Sequence, residues 1–371
     1  MIRQIRRWFV CLLSVVCTVE TSFVCVNNVA NDDEAAAVFR RGVLERYGSK
    51  HTYHLKSASE RWCLAGGVVE KSEIEHINLI PVNAATSLCG SSTMCIVVGD
   101  RHCNFDPHWK RSGRVIFRQY SSTKYPYPGL PLGPRYEFGW IATRDKRGGN
   151  RKYMFNFDGR IDPQDEGRVD MKMAVSNYAW TVQTQWIERE TDVWPFSDES
   201  AERFYREMLL ASSFTLCPVG ESEDSHRFWE AIEAGSIPIF VPRIDEFGKE
   251  QHDFDRECPG AFDDVLKTDP PIVILSSWHQ LPAFIESQTE AEISERRSRL
   301  LAWNNKFWRN VTRAVDDVVS KSAAQRAKRA AMVQQKTDKL AFALELSKTA
   351  ATKRAKLAAV SMGYTVRINI E

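Results

Sequence analysis

The chain has 371 residues, 43% of them hydrophobic and 11% aromatic, and its 50 Lys+Arg against 48 Asp+Glu leave a formal net charge of +2. That apolar and aromatic content excludes a disordered body. The near-neutral balance excludes a surface built around nucleic-acid phosphates, which needs a basic surplus. The 19 Gly and 15 Pro exclude a fibrous or low-complexity body, and the length has room for roughly two and a half domains of ordinary size.

The start, Met1-Ile-Arg-Gln-Ile-Arg-Arg7, precedes the apolar run Trp8 to Val19. A basic end before a short apolar run is the layout of a secretory leader, cleaved or retained as a signal-anchor. If retained, Arg3, Arg6 and Arg7 hold the N-terminus in the cytoplasm and turn the body to a lumen. The six cysteines beyond it, Cys63, Cys89, Cys95, Cys103, Cys217 and Cys258, are compatible with up to three disulfides. No pair has CxxC spacing, so no zinc site is expected. Asn310-Val-Thr312 is a glycosylation sequon if the body is lumenal.

Residues 27–50 are polar and Ala-rich and read as a stem. Beyond them Ile77–Val82, Met94–Val98 and Val115–Phe117 have strand character. Tyr153–Phe157 is a strand closed by Asp158-Gly159, and Ser197 can cap an amphipathic helix through Ser212. Phe214–Cys217 is a strand running into Pro218-Val-Gly220. A helix from Ser225 to Ala234 is stopped by Gly235. Ile237–Val241 and Ile272–Leu275 add strands, and a long amphipathic helix is expected over Leu281–Leu301. Strands alternating with helices predict an α/β fold with a parallel, doubly wound sheet. From about Ser320 the chain is rich in Ala, Lys and Arg, a helical or disordered basic tail.

The chemistry concentrates between Ser212 and Val241. A buried strand enters a glycine-bearing loop that opens a helix, and in doubly wound sheets ligands bind outside the carboxyl ends of the strands. The helix start offers free N–H groups and a positive dipole end, suited to phosphate. Gly220 lets the backbone approach closely. Ser222 and Ser225 can bond phosphate oxygens, and Arg227 can bridge them bidentately. Glu230 can accept from both hydroxyls of a ribose, so the unit reads as a pocket for a nucleoside diphosphate. A plain strand–turn–helix unit, with Arg227 and Glu230 as an i,i+3 ion pair, is the other reading of the same residues.

These residues resemble the exostosin-type glycosyltransferases (glycosyltransferase family 47). The resemblance lies in Phe214-Thr-Leu-Cys-Pro-Val-Gly220, Ser225-His-Arg-Phe-Trp-Glu-Ala231 and Gly235-Ser-Ile-Pro-Ile239, three blocks in the family's order and spacing. Weaker likeness flanks them at Phe117–Tyr120, Leu130–Pro134, Tyr153–Gly159, Arg168 and Ile274–Trp278. The resemblance implies a GT-B architecture, two Rossmann-like domains across a cleft, and inverting transfer from a UDP-linked sugar to a glycan with no essential metal or other cofactor. It implies donor contacts at Gly159, Arg168, Gly220, Ser225, Arg227 and Glu230, with Glu230 on the ribose. It also implies a single-pass type II protein of the Golgi or endoplasmic reticulum membrane, secreted if the leader is cleaved.

The chain then divides into leader (1–26), stem (27–50), acceptor-side domain (51–147), nucleotide-sugar domain (148–318) and tail (319–371). Inverting transfer needs a general base near the acceptor hydroxyl, for which Asp100 is the candidate and His102 the runner-up. Asp253-Phe-Asp255 has the spacing of a metal motif of another fold but reads as a solvated acidic loop. Because the first domain is short, a non-catalytic carbohydrate- or partner-binding protein on the same scaffold is the alternative.

Overall fold

A strand covered on both faces carries apolar side chains without alternation, and such runs, punctuated by Gly and Pro, organise this chain. In the computed structural model the described residues are 22–28, 43–56, 75–81, 94–98, 115–118, 130–135, 138, 141, 151–161, 166–178, 180, 186–190, 199–219, 224–242 and 262–361. The first sheet contains β1 (Ser22–Asn28), β2 (His51–Lys56), β3 (Glu75–Pro81), β4 (Met94–Val98) and β5 (Val115–Arg118), with helix α1 (Val43–Arg46) between β1 and β2. Its order is β2-β1-β3-β4-β5, and every pairing is parallel, with Val24 opposite Glu75 and Ile77 opposite Met94.

The second sheet contains β6 (Tyr153–Gly159), β7 (Trp186–Glu190), β8 (Ser212–Cys217), β9 (Ile237–Phe240) and β10 (Val273–Ile274). Helices α2 (Glu166–Ser176), α3 (Glu199–Ala211), α4 (His226–Glu233) and α5 (Asp263–Leu266) alternate with these strands. After a 3₁₀ turn at Trp278–Gln280 come α6 (Leu281–Ser287) and α7 (Glu290–Ser361). The order β10-β9-β8-β6-β7 is again all parallel. Both sheets therefore have the same doubly wound order, second strand outermost beside the first, then third, fourth and fifth. In the second sheet the winding reverses between β6 and β8, where such sheets open a crevice at their carboxyl ends.

All six residues of β8 and all four of β9 are buried. Phe155, Phe157, Phe214, Phe228, Trp229, Phe240 and Phe262 are almost completely enclosed, each such side chain contributing on the order of 1.5–3 kcal/mol by leaving water. A polar rung crosses this apolar sheet. The Asn156 amide donates to the Phe214 carbonyl (3.1 Å) and to Thr215 Oγ1 (3.0 Å), which shares a hydrogen bond with Ser236 Oγ (2.7 Å). Helix α4 ends as its glycine requires. Gly235 has φ 69°, and the N–H groups of Ser236 and Gly235 return to the carbonyls of Ala231 and Ile232, the double bond of a Schellman end. Arg151 and Arg297 donate to the last carbonyls, Ala234 and Gly235, cations at the negative end of the helix dipole.

Three expectations change. Ser22–Asn28, read as the leader's end and the start of a stem, is an inner strand of the first sheet, and part of 27–50 forms α1. The apolar residues Phe23–Val26 lie within this strand, paired in parallel with β2 on one side and β3 on the other. The long helix expected over Leu281–Leu301 is two helices, because Gln288 is extended (φ −84°, ψ 131°). Thr289 then starts α7 with a capping box, its N–H and hydroxyl donating to Glu292 Oε2 and its hydroxyl accepting from the Glu292 N–H. Cys217 is a free thiol enclosed in β8, so the six downstream cysteines do not all pair.

The chain divides into two compact units, Met1–Val318 and Val319–Glu371. Within the second, the described residues are helical, and Met332, Val333, Leu340 and Phe342 are exposed. Among the described residues no helix is long and apolar enough to cross a membrane.

Candidate functional site

The reversal between β6 and β8 lies beside the start of α4, so a strand end and a helix start meet there. Ser225 is extended (φ −125°, ψ 146°) and its side chain makes no capping hydrogen bond. The apolar residues of α4 are buried at Phe228, Trp229, Ala231 and Ile232. That burial fixes the polar residues between them, and Arg227 and Glu230 leave the helix in different surroundings.

Glu230 is fully buried. Its Oε1 accepts from the Arg135 backbone N–H (3.1 Å) and Nε (2.7 Å), and its Oε2 from Arg135 Nη2 (2.7 Å) and the Tyr205 hydroxyl (2.8 Å). A carboxylate offers about four acceptor directions, and these four donors occupy them. Burial opposes ionisation, but the charge and hydrogen bonds of Arg135 overcome it and hold the carboxyl at about 2. Burial and the Glu230 charge push the Tyr205 phenol well above its ordinary 10, so it stays a donor.

Arg135 belongs to a strap, residues 130–135, laid along this helix. Leu130 and Leu132 are buried. The Leu132 N–H donates to Asp224 Oδ2 (3.1 Å), and the Gly133 carbonyl accepts from His226 Nδ1 (2.7 Å). Gly133 turns the strap at φ 68°, a conformation that costs glycine little.

Arg227 is placed against the end of β6. Its Nη2 donates to the Asp158 carbonyl (2.8 Å), and its guanidinium lies 4.7 Å from the centroid of the Phe157 ring. Gly159 makes room for it, since a Cβ there would fall 2.2 Å from Arg227 Nη2. No acidic side chain pairs with Arg227 among the described residues, and its buried Nε has no hydrogen-bond partner. Asp158 has a fully buried carboxylate; Oδ2 accepts from Arg189 Nη2 of β7, while Oδ1 has no partner. Burial pushes this carboxyl up, against the lowering charges of Arg189, Arg227 and Arg135. Arg189 in turn lies 4.7 Å from the Phe204 ring centroid.

The structure thus brings Gly159 and Arg227 into contact and puts Ser225 at the start of the same helix. Arg168 reaches the same loop, its Nη1 donating to the carbonyl of Arg160 (2.7 Å). Glu230 faces Arg135 and Tyr205 instead of pairing with Arg227. Cys217, at the end of β8, is pushed up to about 12 by burial and is an inert thiol. Gly220, Ser222, Asp100, His102, Asp253 and Asp255 lie outside the described residues. Arg135, Asp158, Arg189 and Tyr205 were not singled out from sequence as site residues. Leu130–Pro134, next to Arg135, and Asp158-Gly159, as a strand end, were the available signals.

A family model, the RXYLT1 C-terminal domain, matches residues 138–323, half of the chain. Ribitol-5-phosphate xylosyltransferase 1 of Homo sapiens is 27% identical over 232 residues, 57% of this chain and 50% of that protein. The protein of the same name from Danio rerio is 27% identical over 241 residues, 58% of this chain and 52% of that one. The chain spans about half the length of the curated relatives it matches. Among solved structures, the kitacinnamycin glycotransferase matches at 9% identity, covering 82% of this chain and 99% of that one, with a TM-score of 0.38. A Thermobaculum terrenum O-GlcNAc transferase mutant matches at 10% identity, 84% of this chain and 70% of that one, with a TM-score of 0.36. At those scores the structural likeness carries no argument.

Proposed function

This chain belongs to the RXYLT1 C-terminal domain family, and from that premise we propose that it is a glycosyltransferase moving a sugar from a nucleotide-sugar donor to a glycan. The observation that carries the reading is Arg227. It is a guanidinium without a carboxylate partner among the described residues, fixed by Phe157 and the Asp158 carbonyl at the strand-order reversal, one residue inside the start of α4. A cation beside a helix N-terminus at that point suits a diphosphate.

In this reading Arg227, Ser225 and the loop through Gly220 hold the leaving diphosphate. Fixed cationic and dipolar groups meet the charge that develops on it, so no divalent ion is required. Gly159 and the loop tethered by Arg168 border the same site. Glu230 orders the strap through Arg135, and a ribose contact there would require the strap to give way. The names of the relatives make a xylosyl group the first sugar to try, carried on UDP as the exostosin-type blocks suggest. The second sheet is the donor half of a GT-B pair, and the first sheet, with the same strand order, is the acceptor half; Asp100, two residues past the end of β4 in the sequence, remains the proposed base. Direct displacement at the anomeric carbon would invert its configuration. The basic start and apolar run support a type II anchor in the Golgi or endoplasmic reticulum membrane.

The test is thermal stabilisation of the purified protein across a panel of nucleotide sugars, because a ligand bound to the folded state raises apparent stability by mass action. A selective rise with UDP-xylose, abolished in Arg227→Ala, is expected. No rise with any nucleotide sugar would overturn the reading.

A further inference from the structure

Asp158 is out of place in a site meant for anions. Its carboxylate is fully enclosed at the strand-order reversal, next to the backbone carbonyl that anchors Arg227. A group this close to Arg227 lies within the field of any anion that Arg227 receives. The charged groups facing it are Arg189 from β7, Arg227 from α4 and Arg135 from the strap. Behind Arg135 stand Glu230 and Tyr205. One of its oxygens takes an Arg189 hydrogen bond and the other takes none, although buried polar atoms are ordinarily paired. Such a carboxylate costs binding energy in proportion to the negative charge placed near it.

Donor and product differ in that charge. In a nucleotide sugar each phosphate is a diester with a single charge, whereas the freed nucleoside diphosphate ends in a monoester that takes a second charge above about pH 6. Resting on the glycosyl-transfer reading, we propose that Asp158 is a specificity-determining residue that weakens the spent nucleoside diphosphate relative to the intact nucleotide sugar. Arg227 attracts both ligands, and the more highly charged product more strongly. Asp158 repels both, again the product more, and so offsets the extra attraction that would otherwise hold the spent nucleoside diphosphate in place of the donor.

Titration calorimetry with UDP and UDP-xylose on the full chain at pH 7.5 tests this. In Asp158→Asn, which keeps an acceptor for Arg189, both nucleotides tighten and the UDP-to-UDP-xylose preference rises about tenfold, the effect of one charge felt across several ångströms of partly buried protein. An unchanged ratio, with both ligands bound, overturns the inference and leaves the transfer reading standing. If neither ligand binds the unsubstituted protein, both fall. Should the variant fail to fold, Asp158→Ser is read in the same way. Lowering the pH from 7.5 to 5.5 removes the additional charge of UDP, so the difference in ratio between the variant and the unsubstituted protein should shrink, and a difference flat with pH overturns the proposal.

Discussion

Two arginine–carboxylate pairs stand near the start of α4, and they are built to different standards. In the rear pair, Arg135 and Glu230, both carboxylate oxygens accept two hydrogen bonds and the acid is held at about 2. In the front pair, Arg189 and Asp158, one oxygen is unmet, the Arg189 Nε has no partner, and the carboxyl is pushed up. A saturated buried network rigidifies, whereas a partly satisfied one leaves polar groups for something else to meet. The rear pair fastens the strap; the front pair stands at the end of β6, beside the Asp158 carbonyl that holds Arg227.

The largest expected effect lies in the rear pair. Glu230→Gln leaves Arg135 buried without its countercharge and should cost about 3–5 kcal/mol of stability, read as a lower urea midpoint. Its acid dependence has a definite sign. Glu230 titrates at about 2 folded against 4.5 as a free group, so its stabilisation is present above about 4.5 and is lost as pH falls toward 2. Asp158 is shifted the opposite way, so its contribution favours the folded state at low pH and fades as pH rises through its folded value.

The next effect sharpens the front. Arg227→Ala should lower transfer from UDP-xylose by about a hundredfold, the size typical of losing one preorganised group on developing charge, while the urea midpoint barely moves. A large stability loss would make Arg227 structural and erase the contrast. Smaller still, Gly159→Ala puts a Cβ where Arg227 now lies. Donor affinity should fall about tenfold with little change in stability, since the arginine can shift but its anchor is spoiled. Least of all, Thr312→Val removes a buried hydroxyl without a partner and should be neutral or stabilising by up to about 1 kcal/mol.

The second sheet was legible because continuous apolar strands such as Ser212–Cys217 end at Pro or Gly, and because Gly235 announces a helix end. Strand β7, Trp-Ile-Glu-Arg-Glu, was not, since an edge strand with three charged residues lacks the apolar run that marks a covered one. β1 was hidden by its adjacency to the apolar run Trp8 to Val19, which draws Ser22–Asn28 into the reading of a leader. Gly159 and Arg227 were each singled out, but their contact was not, and Glu230 was assigned to a ribose because the partner that occupies it lies 95 residues earlier. No local pattern reports such a pairing. The capping box at Thr289 and Glu292 was present in the sequence, yet the continuous periodicity around it outweighed it.

The polar rung across the central strands has a consequence for how the chain finds its shape. Strands made of interchangeable apolar residues can lie against one another in several alignments, because sliding exchanges one greasy contact for another. Asn156, Thr215 and Ser236 remove that freedom: a slide of β6 along β8 would strand the Asn156 amide in a dry interior, and a slide of β9 along β8 would part the two hydroxyls, at roughly 1–3 kcal/mol for each stranded group. The sheet accepts a small polar cost so that Gly159 and the start of α4 arrive opposite each other every time the protein folds.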